Sequence, residues 1–454
     1  MAKAHAVHLV RRPNGAATTD QFEIAELDLA PVEDGQALVR NLLLSVDPYM
    51  RQLMSEAWPL NAPLGMGRAI GVVEQSRSPR LPEGALVVHN GGLQTHIVFD
   101  ADDVGVRPLV THEGVALESY LSMLGGTGLT AYAGLTKVFG VTKGDVVFLT
   151  SIAGGVGVAA AQIARQLGSA KVLGTTSADA KCRFAVNVLG ADRAANWKTA
   201  AVSDFLAEYA GEGLSATLDG VGGGQLEAAI DASARHARIA LVGGISHYDT
   251  GKPWVPPKNF EDIHFKALTV RGYAVRDYLD LREEAEDFLV PLMRSGAIVD
   301  PVTVTEGFAE APAALVGVLQ GANTGKAIVR SAISSEASLR ACCRCRSLGA
   351  TSCARSCRSP LLEVSAAAAV RPSILWWTAP RRRPRCCPAR QYRLTSATAS
   401  STPASCYSSM LRAICPIWRS APSVTNLFGG SHPPSRSTPV RRGKEYDAAE
   451  TGKS

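Results

Sequence analysis

The stretch that most constrains this chain is Val146-Val147-Phe148-Leu149 running into Thr150-Ser151-Ile152-Ala153-Gly154-Gly155-Val156-Gly157-Val158-Ala159-Ala160. Four apolar residues are enough for a strand buried on both faces, and the spacing predicts an Ala-rich helix over 158–167 closed by Gly168. Between them Gly155, Gly157 and Ala160 satisfy G-x-G-x-x-A. In that pattern the first glycine makes the tight turn, the second lets a pyrophosphate approach the backbone, and the third small residue lets helix and strand pack closely. The phosphates then meet amides and the positive end of a helix dipole. Gly/Ala-rich turns occur in many α/β proteins. The place of this one between a buried strand and a helix points to a dinucleotide held over Gly154, Gly155, Val156, Gly157 and Val158.

The alternation continues downstream. Strands are predicted at 171–175, 216–218 and 238–242, and helices at 179–189 and 225–232. Strands alternating with helices imply a parallel sheet with right-handed crossovers. The first 125 residues have another texture, with short strands predicted at 36–45, 69–74, 85–90 and 95–99, the last two flanking Gly91-Gly92. Prolines at 31, 48, 59, 63, 79, 82 and 108 argue against long helices there. The expected class is therefore α/β, a β-rich domain over 1–125 followed by a doubly wound domain over 126–299. A helix at 310–320 and a strand at 326–330 end the globular texture.

Composition divides at the same point. The whole chain has a net charge of +6, but residues 331–454 hold 19 Lys and Arg against 5 Asp and Glu, and the rest hold 28 against 36. An acidic body thus carries a very basic tail. Of ten cysteines nine lie beyond residue 340, which leaves Cys182 alone in the body, without an internal disulfide or a thiolate zinc cluster. No metal site is expected. The N-terminus, with Arg11, Arg12 and Pro13, has no apolar run fit for a signal peptide, and no stretch reaches the roughly 18–20 apolar residues of a membrane span. A cytoplasmic protein with no membrane partner is expected.

The tail has 17 Arg against 2 Lys, a basic run Arg381-Arg382-Arg383-Pro384-Arg385, and Cys342, Cys343, Cys345, Cys353 and Cys357 without the paired spacing of a zinc module. It reads as solvated disorder, as a nucleic-acid patch, or as GC-rich DNA translated in a shifted frame. The excess of Arg over Lys fits the last best, and nucleic acid is not the expected partner.

The cofactor type is also addressed by sequence. An NAD site places Asp or Glu about 20 residues beyond the fingerprint, on the ribose 2′-hydroxyl. Here Gly174-Thr175-Thr176-Ser177 carries no carboxylate, and Lys181 follows within the next helical turn, where an ammonium meets a 2′-phosphate. Asp179 lies close by, and from charge alone a solvated surface lysine is an equal reading.

These features resemble the zinc-independent medium-chain dehydrogenases/reductases of the prostaglandin reductase type, also called leukotriene B4 12-hydroxydehydrogenase-like, a group that includes bacterial NADPH-dependent double-bond reductases. The resemblance runs over residues 5–330. It is carried by Leu44-Ser45-Val46-Asp47-Pro48-Tyr49-Met50-Arg51, Gly126-Thr127-Gly128-Leu129-Thr130-Ala131-Tyr132, the Ala153-Gly154-Gly155-Val156-Gly157 turn and Ala180-Lys181-Cys182. Asp219-Gly220-Val221-Gly222-Gly223, Gly244-Ile245-Ser246-His247-Tyr248 and Gly321-Ala322-Asn323-Thr324-Gly325-Lys326 complete it. The tail has no counterpart in the family.

The resemblance implies a GroES-like catalytic domain from 1–125 completed by 300–330, a Rossmann domain between, a homodimer, and NADP(H) as cofactor. The implied reaction is reduction of the carbon–carbon double bond of small enones and enals. Lys181 matches the 2′-phosphate ligand and Asn323 a contact near the nicotinamide end. Val242, Gly243, Gly244, Ile245 and Ser246, with Tyr273, Ala274 and Val275, match segments lining the cofactor. Tyr248 matches a tyrosine at the nicotinamide ribose, and Tyr49 is the second hydroxyl placed near the chemistry. Trp197 stands where a Tyr is usual and Gly220 where an Asn is usual, so two cofactor contacts differ, and Asn90-Gly91-Gly92-Leu93-Gln94 lacks the aromatics of the substrate-side loop. A quinone reductase with the same cofactor site, and a weakly catalytic NADPH-binding protein whose tail binds nucleic acid, are the competing readings. A zinc alcohol dehydrogenase is set aside because Cys182 lies downstream of the fingerprint.

Overall fold

In the computed structural model, which describes residues 3–103, 105–250 and 254–331, the chain begins with an antiparallel ribbon of β1 (Lys3–Leu9) and β2 (Phe22–Asp28). There follow β3 (Gln36–Val46), the one-turn helix α1 (Met50–Leu53), β4 (Ala69–Ser76), β5 (Leu86–His89), β6 (His96–Asp100) and β7 (Val106–Pro108). The prolines keep their promise, since no helix before residue 126 exceeds four residues among those described. The strands flanking Gly91-Gly92 do not pair with each other: β5 lies between β4 and β7, and β6 pairs with β3.

After α2 (Gly126–Ala133) come β8 (Val146–Leu149), α3 (Gly155–Gln166), β9 (Lys171–Thr176), α4 (Asp179–Asn187), β10 (Arg193–Asn196) and α5 (Val202–Tyr209). β11 (Leu214–Asp219), α6 (Gly223–Asp231), β12 (Ser233–Leu241), α7 (Ile245–Tyr248), α8 (Asp262–Phe265) and β13 (Thr269–Gly272) continue the pattern. Their strands form one parallel sheet in the order β10-β9-β8-β11-β12-β13. The order reverses between β8 and β11, and ligands of such sheets bind at the carboxyl ends of the strands at that reversal. Val147, Phe148 and Leu149 are at most 1% exposed, as a strand covered by helices on both faces requires.

The chain then passes α9 (Arg282–Arg294), β14 (Val302–Glu306), α10 (Ala311–Leu319) and β15 (Lys326–Arg330). β14 and β15 do not extend the parallel sheet. They join the first one, in the order β14-β15-β3-β4-β5-β7, and Leu315, Val316 and Val329 share a core with Leu44, Met50 and Trp58. The first sheet is therefore closed by residues that lie nearly 300 positions from its beginning. The fold is α/β, a GroES-like β-rich unit with a Rossmann sheet inserted, as the sequence led one to expect. The tail readings fall on residues 332–454, outside those described.

β15 is a central strand, and Ser331 is the last described residue after it. A chain stopped at Ser331 is expected to melt within about 2 °C of the full chain, because every described core residue is retained. A chain stopped at Thr324 loses β15 between β14 and β3 and is expected not to fold. Thermal melts by circular dichroism of the two truncations against the full chain check both outcomes.

Candidate active site

The turn between β8 and α3 departs from its expected construction. The positive φ that makes the turn falls on Ser151 (φ 53°), while Gly154, the N-cap, is extended with φ −85° and ψ 175°. Gly157 serves packing: a Cβ there would stand 2.3 Å from Ser151 O and 2.6 Å from the Ile152 Cα. Ala160 is fully buried in the helix–sheet contact, as the third small position of the pattern requires. Gly155, Val156, Gly157 and Val158 form the first turn of α3, and no side chain caps it. The turn is walled by Thr127, whose Cγ2 would lie 3.1 Å from a Cβ on Gly155, and by Gly325, whose N–H donates to Ala153 O at 2.8 Å. An uncapped helix start at the sheet's reversal point fits a pyrophosphate, since its first amides lack partners within the helix.

Across the reversal, Thr150 Oγ1 donates to Asp219 Oδ1 at 2.8 Å, and Asp219 accepts the amides of Val221 at 3.0 Å and Gly222 at 2.9 Å. Burial pushes the Asp219 carboxyl up, and these three donors pull it back toward the charged form. Asp219 thereby fixes the loop carrying Gly220. That loop is bonded to the next one: Ile245 N–H donates to Gly220 O at 3.2 Å, Ser246 Oγ to Val221 O at 2.7 Å, and Val242 N–H to Asp219 O at 2.8 Å. Gly220, Val242, Gly243, Gly244, Ile245 and Ser246 are thus brought together, and Tyr273, whose N–H donates to Leu241 O at 3.2 Å, leads Ala274 and Val275 past the same place. The Tyr273 hydroxyl is engaged elsewhere, donating to Thr130 O at 2.8 Å.

At the far side of α3, Lys181 stands in the first turn of α4, where the sequence puts it, but it is not a free surface lysine. Its Nζ donates to Gly321 O and Asn323 O, each at 2.6 Å. Lys181 and Asn323, assigned by resemblance to opposite ends of the cofactor, are in contact. The Asn323 amide is also bonded, donating to Gly325 O at 2.6 Å. Burial lowers the Lys181 pKa, and the charge of Lys198 adds to that. Lys198 is a second cation that sequence reasoning missed; its Nζ lies 5.6 Å from the centre of the Trp197 ring, which is 46% exposed. The signal was the adjacent pair Trp197-Lys198.

The two tyrosines lie on segments that one ion pair joins. Tyr248 ends α7 and its Oη accepts the Gly244 N–H at 3.3 Å, while Tyr49 precedes α1 and is 36% exposed. Burial raises the pKa of both phenols; for Tyr49 the charge of Asp47 adds to it. Arg51 Nε donates to Asp249 Oδ1 at 2.7 Å and its Nη2 to Gly15 O at 2.7 Å, with Arg51 only 3% exposed. The pair holds the segment after Tyr248 against the segment after Tyr49. The residues Gly91, Gly92, Leu93 and Gln94 are buried, and a Cβ on Gly92 would stand 1.8 Å from Leu64 O, so that segment packs rather than lining a pocket. The aromatic found near the site is Trp254, which stacks on His247 at 4.6 Å and lies so close over Gly244 that a Cβ there would stand 1.9 Å from the indole.

Among the described residues no group of three or more His, Cys, Asp or Glu is placed to hold a metal ion, and no helix is long and apolar enough to cross a membrane. Fold and site together define a two-domain oxidoreductase of the medium-chain dehydrogenase/reductase class. Two family models match, the N-terminal domain of oxidoreductase over residues 5–106 and zinc-binding dehydrogenase over 155–293. The chain is 35% identical to prostaglandin reductase 1 of Bos taurus over 319 residues, which is 70% of this chain and 96% of that one. It is 29% identical to the NADPH-dependent curcumin reductase of Escherichia coli, covering 71% of this chain and 96% of that protein. Among solved structures, CurA of Vibrio vulnificus in complex with NADPH is similar with a TM-score of 0.67 and 27% identity, covering 73% of this chain and 100% of that one. The chain belongs to the zinc-independent medium-chain dehydrogenase/reductase family of the prostaglandin reductase type.

Gly157→Ala is expected to lower the melting temperature by several degrees, since a methyl group must displace backbone at Ser151–Ile152 at a cost of about 1–3 kcal/mol. The same change at Gly224, which has nothing within 4 Å of a Cβ, is expected to leave it unchanged. Differential scanning calorimetry of the two variants makes the comparison.

Proposed function

We propose that the protein reduces the carbon–carbon double bond of small α,β-unsaturated ketones and aldehydes with NADPH. The observation that carries this is the kinship with prostaglandin reductase 1 over nearly that protein's whole length, joined to an uncapped α3 turn with Lys181 and Lys198 at one side of it. When bound, NADPH supplies the hydride delivered to the β-carbon of the substrate. The amides of Gly155, Val156 and Gly157 receive the pyrophosphate, and Lys181 with Lys198 attracts the 2′-phosphate. Trp197 and Gly220 flank the cofactor where the family has Tyr and Asn, and Val242, Gly243, Gly244, Ile245, Ser246, Ala274 and Val275 line it through backbone. Asn323 supports Lys181 through its carbonyl.

Hydride addition leaves negative charge on the carbonyl oxygen, and a donor fixed at that oxygen lowers the barrier. Tyr248 and Tyr49 supply such donors. Their raised pKa values keep both phenols protonated at neutral pH, so each has a hydrogen to donate. The Arg51–Asp249 pair keeps the two segments in register. The α-carbon then takes its proton from water. In this reading residues 1–125 with 300–330 hold the substrate and 126–299 hold the cofactor, in a cytoplasmic homodimer.

Lys181→Ala is expected to raise the KM for NADPH by about 10–100-fold and to leave that for NADH nearly unchanged, because only the former carries the extra phosphate. Initial-rate kinetics with the two cofactors read this directly, and equal effects on both remove Lys181 from the phosphate. The reaction itself is tested with NADPH deuterated at C4 and a simple enone. Deuterium is expected at the β-carbon of a saturated ketone; an allylic alcohol labelled at the former carbonyl carbon overturns the reading.

A further inference from the structure

We propose that Lys326 is a positioning residue for the reaction and acts through Asp47: its buried ammonium holds the Asp47 carboxylate and cancels its charge, which lets Tyr49 stabilise negative charge on the substrate oxygen. Lys326 opens β15 and is 3% exposed. Its Nζ donates to Val46 O at 3.0 Å and to Asp47 Oδ1. The other Asp47 oxygen accepts from Ser45 Oγ, so both oxygens of the carboxylate are held. Asp47 also begins the turn that carries the phenol, its carbonyl accepting the Met50 N–H at 3.1 Å. The stem of Lys326 lies against the first residue of α3, where a Cβ on Gly155 would stand 3.5 Å from its Cα and 3.6 Å from its Cδ. One side chain thus touches the first turn of the candidate cofactor helix and the carboxylate two residues before Tyr49.

Stability alone does not account for such a pair. An ammonium and a carboxylate taken out of water regain little more than their desolvation, and apolar side chains of similar volume hold a core at least as well. Its other effect is on the phenol. Among the described residues the Tyr49 hydroxyl has no hydrogen-bond partner, so its hydrogen is open to a substrate oxygen. Burial and the charge of Asp47 raise its pKa, while the charge of Arg68, whose guanidinium lies over Gly126, lowers it. Negative charge growing on an oxygen bound to Tyr49 is opposed by Asp47 and favoured by Arg68 in the same way. With Lys326 in contact, Asp47 is half of a neutral pair and Arg68 acts unopposed. Without Lys326, Asp47 offsets Arg68 in a partly desolvated place, where charges act more strongly than in water.

The role differs from that proposed for Lys181. The Lys326 ammonium is closed off by Val46 O and Asp47, so it has no hydrogen to offer a phosphate, and its charge reaches the reaction only through the carboxylate it holds. Its loss therefore bears on the rate of hydride transfer rather than on the affinity for NADPH. This inference deepens the enone-reductase reading and rests on it for the reaction, though not for the charge relation of Lys326, Asp47 and Tyr49.

Three variants test it: Lys326→Met, Asp47→Asn and the two together. Stopped-flow single turnovers with saturating NADPH and methyl vinyl ketone give a rate constant for hydride transfer and an amplitude for the active fraction. Lys326→Met is expected to lower the rate constant about 10–100-fold with amplitude and NADPH affinity within about twofold, while Asp47→Asn and the double variant stay within about threefold of the unaltered protein. Lys326→Gln, which keeps an N–H donor without the charge, is expected to match Lys326→Met and carries the test where methionine disturbs the packing. A loss confined to the amplitude, equal losses in all variants, or an unchanged rate constant in Lys326→Met and Lys326→Gln overturns the proposal. A difluorotyrosine placed at position 49 and followed by fluorine NMR gives a readout that needs no turnover. Its phenol is expected to titrate about one to two pH units higher in Lys326→Met, and to return when Asp47→Asn is added. A titration that does not move overturns the proposal; one that moves in a protein that reduces no enone supports the charge relation and sinks the reductase reading.

Discussion

The short segment from Gly321 to Arg330 holds the rest of the site in place. Its carbonyls at Gly321 and Asn323 accept from Lys181, its Gly325 amide donates to Ala153 O in the β8–α3 turn, and its Lys326 ammonium reaches Val46 O and Asp47. It then becomes β15, between β14 and β3. One strand thus belongs to the first sheet while its leading turn touches the second. Gly325 makes this possible: its φ is +69°, and a Cβ there would stand 1.8 Å from Pro301 O. The two sheets are joined by a chain that leaves the first, forms the second and returns.

Buried charges mark the same junction. Lys326 is 3% exposed, and burial lowers its pKa while Asp47 opposes the shift. Arg51 is as buried, with Asp249 and Gly15 O as its partners. Such pairs contribute little net stability compared with apolar packing, yet removing one member leaves an uncompensated charge, at about 3–5 kcal/mol. They are therefore poor glue and good locators. Lys326 fixes the return of β15 onto the end of β3 within the first sheet, and Arg51–Asp249 ties the segment after α1 to the segment after α7, the kind of fixed arrangement that hydride transfer requires.

The elements that were legible in sequence are those set by local pattern. β8 and β15 fall where their apolar runs predict, 158–167 is α3 less its first turn, and the strand–turn–helix unit around the glycines was visible from their spacing. β10, α5, α9 and β14 escaped, being short, rich in Ala or charge, or, in α9, interrupted by Pro291. What pattern does not carry is long-range partnership. Ser151 taking the positive φ, Lys181 reaching Asn323, Arg51 reaching Asp249 and Arg68 lying over Gly126 depend on contacts between residues dozens to hundreds of positions apart, or on a backbone angle no composition reports. The family resemblance pointed to Tyr248, Tyr49 and the loops around Gly220 and Gly244, whereas Lys198 beside the Trp197 ring and Trp254 stacked on His247 came from the geometry.

In the reaction proposed above, with Tyr248 and Tyr49 as its donors, no acid of low pKa is needed. A phenol raised by burial is neutral over the whole physiological range, since the neutral form dominates at every pH below its pKa. It cannot hand its proton fully to an enolate oxygen without becoming a desolvated anion, so its part is to donate a hydrogen bond while charge builds and to keep the proton afterwards. That role asks for placement rather than acidity. Tyr49 precedes α1 and Tyr248 ends α7, and Arg51 and Asp249, close to them in sequence, form the ion pair that joins the two segments, so on this proposal the pair positions both donors.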